Sequence, residues 1–223
     1  MKTPLPSLFP LLFHGETGAS VSPFLTPSIE KALSRAYGFR AIAGIDEAGR
    51  GPLAGPVVAA AVVLRMDSYP EGIRDSKRLS PRKREVLFEE ITSRAVGVGV
   101  GIVGPRQIDT LNIRRATLLA MQRAVEALPV KPDFCVIDGI DEISLPLPQS
   151  SLVKGDCRCL SVAAASIIAK VVRDRMMQAY HGKYPGYGFD RNMGYGTKRH
   201  REALRRQGPC PIHRHTFRGV EVR

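Results

Sequence analysis

Three short apolar runs in this 223-residue chain lead into carboxylates: residues 41–45 into Asp46-Glu47, residues 134–137 into Asp138, and residues 151–153 into Asp156 by way of Lys154-Gly155. Runs of this length, rich in Val, Ile and Ala, read as buried strands. Strands of an α/β sheet that end in acids gather them at one rim. Four carboxylates collected there would repel one another unless cations joined them. An all-oxygen donor set suits Mg²⁺ or Mn²⁺. Two such ions ~3.5–4 Å apart can activate water and stabilise the leaving oxygen of a phosphodiester. The plain alternative is surface duty, because 21 Asp and Glu in 223 residues place several acids beside apolar runs by chance.

The setting of the first pair weighs against chance. Asp46-Glu47 runs into Gly49-Arg50-Gly51, where missing Cβ atoms let backbone amides approach a phosphate or a sugar. The same stretch, through Ala54, also satisfies the dinucleotide pattern G-x-G-x-x-G/A, with Asp67 following 18 residues on. That pattern needs a helix to start among its glycines. Here Pro52 and Pro56 intervene and the strand-like run 57–64 follows, so the dinucleotide reading is set aside.

The elements that must hold these residues can be drawn in order. Thr26-Pro27 opens a lead-in helix over 28–36, stopped by Gly38. Strands follow at 41–45 and 57–64, then a polar loop with Asp75-Ser76-Lys77. Ser80-Pro81 opens a helix carrying Val86, Leu87 and Ile91, and a strand follows at 95–102. Apolar residues at 113, 116, 120, 124 and 128 have the spacing of a helix packed on a sheet. Strands at 134–137 and 151–153 complete the set. A long helix over 160–180 and a basic helix over 197–207, closed by Gly208, end the chain. Residues 1–25 read as a flexible tail, 26–182 as the core and 183–223 as a C-terminal helical extension.

Lys and Arg number 33, for a formal charge of +12, a field that attracts phosphate polymers. Charge alone fits a non-catalytic nucleic-acid-binding protein equally well. The four cysteines form one C-x-C and no C-x-x-C pair, so neither a zinc ribbon nor a disulfide framework is legible, and a reducing, cytoplasmic setting is expected. His213 and His215 form an H-x-H without partner ligands and read as surface or nucleic-acid-facing residues. The prolines at 4, 6 and 10 break an N-terminal apolar stretch far shorter than the ~20 residues of a membrane helix, so no membrane segment is expected.

The run Gly44-Ile45-Asp46-Glu47-Ala48-Gly49-Arg50-Gly51-Pro52-Leu53-Ala54-Gly55-Pro56-Val57-Val58 resembles the signature of the ribonuclease HII family. Further blocks follow in family order: Asp75-Ser76-Lys77, Ile137-Asp138-Gly139, Lys154-Gly155-Asp156, Ala163-Ala164-Ala165-Ser166-Ile167-Ile168-Ala169-Lys170 with Arg173-Asp174, Tyr187-Gly188-Phe189-Asp190 and Gly194-Tyr195. Together they span residues 42–217, and an ordered set of this kind is far more specific than any one block. The related ribonuclease HIII has a different loop after its Asp-Glu pair and an added N-terminal domain, for which residues 1–25 are too short.

The resemblance implies a ribonuclease H-like α/β fold, a mixed five-stranded sheet flanked by helices. It implies that Asp46, Glu47, Asp138 and Asp156 hold Mn²⁺ or Mg²⁺, and that the enzyme cuts the RNA strand of RNA/DNA hybrids and nicks 5′ of ribonucleotides embedded in duplex DNA, leaving 3′-hydroxyl and 5′-phosphate ends. Gly49, Arg50 and Gly51 would grip the ribonucleotide through its 2′-hydroxyl. Tyr195 would pack on the sugar, although a half-buried structural tyrosine is the other reading. Lys77, Lys170 and Arg173 suit phosphate contacts or solvated charge alike, and Asp174 a structural or supporting role. A monomer acting in ribonucleotide excision and DNA replication is the implied setting.

Overall fold

The computed structural model describes residues 25–220; the expected tail therefore lies, except for Leu25, outside the described residues. The strands are β1 (Ile42–Ala48), β2 (Val57–Val63), β3 (Gly97–Val103), β4 (Phe134–Asp138) and β5 (Gln149–Leu152). They form one sheet in the order β3-β2-β1-β4-β5. β1 pairs antiparallel with β2 and β2 with β3, while β4 lies parallel to β1 and β5 parallel to β4. The expected mixed five-stranded α/β sheet is present, and helices cover both faces.

Seven helices accompany the sheet among the described residues: α1 (Ser28–Tyr37), α2 (Pro81–Arg94), α3 (Pro105–Leu111), α4 (Ile113–Glu126), α5 (Leu160–Lys183), α6 (Phe189–Asn192) and α7 (Lys198–Gln207). Ser80 caps α2 by accepting from the Lys83 amide, as its position before Pro81 suggested. At α1 the cap is Pro27 rather than Thr26, with no side-chain hydrogen bond. α3 escaped the sequence reading because only Ile108 is buried, which leaves no apolar period to detect. Among the described residues, no helix is long and apolar enough to cross a membrane.

Side-chain alternation divides the core. Ala43 and Ile45 of β1, with Val57, Ala59, Ala61 and Val63 of β2, meet Ala116, Ala120 and Ala124 of α4. Ala60 and Val62 on the other face meet α2 and the Ala163–Ala165 stretch of α5. Small residues bring helix and sheet close together. A Cβ on Gly101 would lie 1.9 Å from the Ala120 carbonyl oxygen, and one on Gly44 would lie 2.1 Å from the Ser161 carbonyl carbon. Beyond α5 the chain builds a third cluster from Met177, Tyr187, Phe189, Leu204 and Ile212. This cluster closes over Leu53 and Ala54, so the last described segment rests on the loop between β1 and β2.

Candidate active site

β1 and β4 run parallel with Ile45 beside Ile137, so the next residues, Asp46 and Asp138, stand at the same level where the pairing of these two strands ends. Glu47, adjacent in β1, alternates to the α4 side. One carboxylate oxygen from each of Asp46, Glu47 and Asp138 lies within 4.8 Å of the others. Asp156 comes from a 3-10 turn, Gly155–Cys157, entered through Lys154 in the left-handed region at φ 56°. The Gly155 amide donates to Asp138 Oδ1 at 2.7 Å, which ties this turn to the end of β4. The ligand atoms that cluster around Asp156 are those of Asp75 and Cys157. The structure thus brings three of the four expected acids together and sets the fourth alongside.

The electrostatics record this crowding. Burial pushes the Asp46 carboxyl well above the usual range, and the charges of Glu47 and Asp138 push it further. Burial also raises Glu47, against the pull of Arg50 3.3 Å away. Asp138 is raised by burial, partly offset by the Gly155 amide, and Asp156 adds to the rise. Partial burial works to lower Lys77, but Asp156 at 3.3 Å and Asp75 at 4.0 Å outweigh it and hold the ammonium above its ordinary value.

These acids open into a cleft of ≈ 390 Å³ whose walls include every metal- or substrate-binding candidate except Asp156, and in addition Ala48, Ser76 and Ser166; Asp174 stands outside it. The buried Ser76–Ser166 hydroxyl pair, 2.7 Å apart, fastens the Asp75–Lys77 turn to α5. Tyr195, 47% exposed, projects from a turn in which Met193 and Gly194 both take positive φ. A Cβ on Gly51 would stand 3.8 Å from its ring. A second depression of ≈ 440 Å³ shares Glu47, Arg50 and Asp138 and reaches Arg114, Ile140 and Val153.

Of the expected phosphate-binding cations, Lys77 is exposed and Lys170 lies at the cleft in an ion pair with Asp174 at 2.7 Å. Arg173 differs. It is 1% exposed, and its guanidinium donates to the carbonyls of Ala54, Pro56 and Met193 at 2.9–3.1 Å. Those three bonds hold the backbone around the loop from the cleft's inner wall. Gly49 must be glycine for the same reason, since φ is 96° and a Cβ would meet Arg173 Nε at 2.0 Å.

The C-terminal residues differ from the sequence expectation. His213, expected at the surface, is 1% exposed and its Nε2 meets Nε2 of the fully buried His200 at 3.0 Å; His215 alone is exposed. Arg214, between them, is fully buried and donates to the carbonyls of Gly49, Arg50 and Gly55 at 2.6, 2.8 and 3.0 Å. Nothing local betrays this role, because its partners lie some 160 residues earlier in the chain.

Comparison with known proteins matches residues 43–220 to a family model described as Ribonuclease HII. The curated Ribonuclease HII of Syntrophotalea carbinolica is 54% identical over 191 residues, 86% of this chain and 91% of that one. The crystal structure of ribonuclease H2 from Pyrococcus horikoshii superposes with a TM-score of 0.71 at 29% identity, covering 81% of this chain and 95% of that one. An RNase HII from Archaeoglobus fulgidus, solved as a complex with PCNA, gives 0.63 at 32% identity, covering 74% and 87%.

Proposed function

The chain belongs to the ribonuclease HII family, and on that footing we propose that it hydrolyses the RNA strand of RNA/DNA hybrids and nicks duplex DNA 5′ of an embedded ribonucleotide, leaving 3′-hydroxyl and 5′-phosphate ends. One observation carries the reading: Asp46, Glu47 and Asp138 share a single cleft with Gly49, Arg50, Gly51 and Tyr195. Reacting phosphate and recognised sugar then sit within one nucleotide's reach of each other.

The donor set fits Mg²⁺ or Mn²⁺. Three carboxylates crowd within 4.8 Å, offer only oxygen, and are raised by burial and mutual repulsion that a divalent cation would relieve. Asp46, Glu47 and Asp138, with Asp156 alongside, would hold the cations. When bound, a pair of them supplies Lewis-acid activation of water and offsets the charge that builds on the phosphate. Lys77 balances Asp156 and meets the strand with its exposed ammonium, while Lys170, paired with Asp174, contributes its charge to the cleft from α5. Among the described residues the amides of Arg50 and Gly51 have no intramolecular acceptor, so they are free to meet a phosphate or a 2′-hydroxyl. The Tyr195 ring packs on the sugar at the junction, while Arg173 acts from behind the loop rather than on phosphate.

The setting is ribonucleotide excision and primer clearance during DNA replication, in the cytoplasm and as a monomer. The PCNA complex of the Archaeoglobus relative supports a replication or repair partner. The test is a labelled duplex carrying one ribonucleotide. Nicking with Mg²⁺ or Mn²⁺ and none with chelator is expected; binding without cutting in either metal would leave a non-catalytic nucleic-acid binder.

A further inference from the structure

We propose that the segment Cys210–Arg214 is a positioning element that sets the two sugar-reading parts of the cleft against each other: Arg214 orients the Gly49–Gly51 loop, and His213, acting through His200, holds Tyr195. This rests on the cleft being the ribonucleotide site described above.

The loop arm is a single guanidinium. Arg214 is fully buried, and among the described residues it forms no ion pair. Its Nη2, Nη1 and Nε instead donate to the carbonyls of Gly49 at 2.6 Å, Arg50 at 2.8 Å and Gly55 at 3.0 Å. Arg173 takes the carbonyls of Ala54 and Pro56 from the same side. A peptide whose carbonyls point inward shows its amides outward, which is the polarity an anion or a 2′-hydroxyl requires. Burying two like charges 41 residues apart without a carboxylate is costly. Burial and the Arg173 charge accordingly bring Arg214 down to about 9. The planar fork is what this geometry uses, since a lysine offers one point charge and cannot span three carbonyls.

The tyrosine arm is a chain of hydrogen bonds with one direction. The Cys210 amide donates to His213 Nδ1 at 2.9 Å, which places that ring's proton on Nε2. The His213 Nε2–H then faces His200 Nε2 at 3.0 Å, and His200 Nδ1–H donates to the Tyr195 carbonyl at 2.8 Å. Backbone bonds lace the arms together: Gly55 N–H to Ile212 O at 2.8 Å, Arg214 N–H to Leu53 O at 2.9 Å, and Leu53 N–H to Gly194 O at 2.8 Å. Asp109 of α3 pins the segment from outside, accepting from the amides of His215 and Thr216 at 2.9 and 3.0 Å.

Loop and ring are therefore spaced before substrate arrives, and a displacement of about 1 Å can cost about 100-fold in rate. The test compares wild type with Arg214→Lys and His213→Gln on a single-ribonucleotide duplex. Either variant should lower kcat by about 100-fold, with the Kd for the same duplex and the Mn²⁺-induced rise in Tm both close to wild type. Asp109→Ala, a change at a half-buried position outside the core, should give the same pattern with a smaller loss. Unchanged kcat in Asp109→Ala and in whichever buried variant folds would overturn the proposal. So would a loss in which duplex binding or the Mn²⁺ response falls in step with kcat, because that marks general unfolding. A wild-type protein that never nicks would sink the functional reading itself, a separate result.

Discussion

The Gly155 amide donates to Asp138 Oδ1 at 2.7 Å. That bond couples the carboxylate at the end of β4 to the turn that delivers Asp156, so the two acids move as one unit. Asp138 at the same time keeps a carboxylate oxygen within 4.8 Å of one from Asp46 and one from Glu47. Replacing Asp138 by Asn keeps the shape and an oxygen for Gly155 but removes the charge. Nicking of a ribonucleotide-containing duplex should fall by at least ~100-fold, the scale of losing one preorganised charged group, while gel-shift affinity for the duplex is retained. An active Asp138→Asn enzyme would remove this residue from the site.

Divalent cations should stabilise the fold as well as permit cutting. Burial and like charge raise Asp46, Glu47 and Asp138, and a ligand that binds only the folded state contributes about 2.7 kcal/mol at 100 times its Kd. Scanning calorimetry should show Tm rising with Mn²⁺ or Mg²⁺ and returning with chelator, and Asp46→Asn should blunt the rise. Identical curves for wild type and Asp46→Asn would argue that cations bind elsewhere.

Two glycines of the loop should separate fold from function. A Cβ at Gly51 meets only the Tyr195 ring, at 3.8 Å, so Gly51→Ala should change stability by no more than ~0.5 kcal/mol while filling the slot a sugar would enter. Its nicking should drop on the order of tenfold or more. Gly49→Ala, with φ 96° and Arg173 Nε 2.0 Å from the new methyl, should instead cost on the order of 1–3 kcal/mol. Denaturant titration and nicking rates on the two variants decide the matter.

The histidine pair should show as acid sensitivity. Burial, together with the charge of His200, lowers His213 to about 4, and burial lowers His200 against the pull of the Tyr195 carbonyl. A folded pKa below the unfolded value of about 6.5 means that the unfolded chain binds more protons between those limits. Stability from His213 is present above about pH 6.5 and is lost as pH falls toward 4, by at most ~1.4 kcal/mol per pH unit, and His200 acts in the same direction. The raised carboxylates work in the opposite sense, gaining stability as pH falls. The measurement is therefore the difference in Tm between wild type and His213→Gln, which should shrink below pH 6.5; a constant difference would refute it.

Much of the site was legible because its signals are local. Short apolar runs mark strands by composition, acids at their ends fall on a rim by strand geometry, and Pro52 and Pro56 excluded a helix where a dinucleotide motif invited one. Those signals pointed to Asp46, Glu47, Asp138 and Asp156 at one rim, and the family resemblance carried by blocks in order implied the mixed five-stranded sheet that is present.

Only tertiary packing decided which polar groups face inward. Arg173 and Lys170 sit three residues apart on α5 and both border the cleft, yet one holds buried backbone carbonyls with its guanidinium and the other pairs with Asp174. Asp156 was read as one of four equal acids, whereas its own turn and Lys77 set it beside the other three. His213 read as a surface or nucleic-acid-facing residue and Arg214 carried no signal, because their partners, His200, Gly49, Arg50 and Gly55, come from other parts of the chain. Periodicity reports the side a residue presents within its own element. It carries no information about a loop 165 residues away whose carbonyls need a donor, and that pairing exists only once the chain has folded.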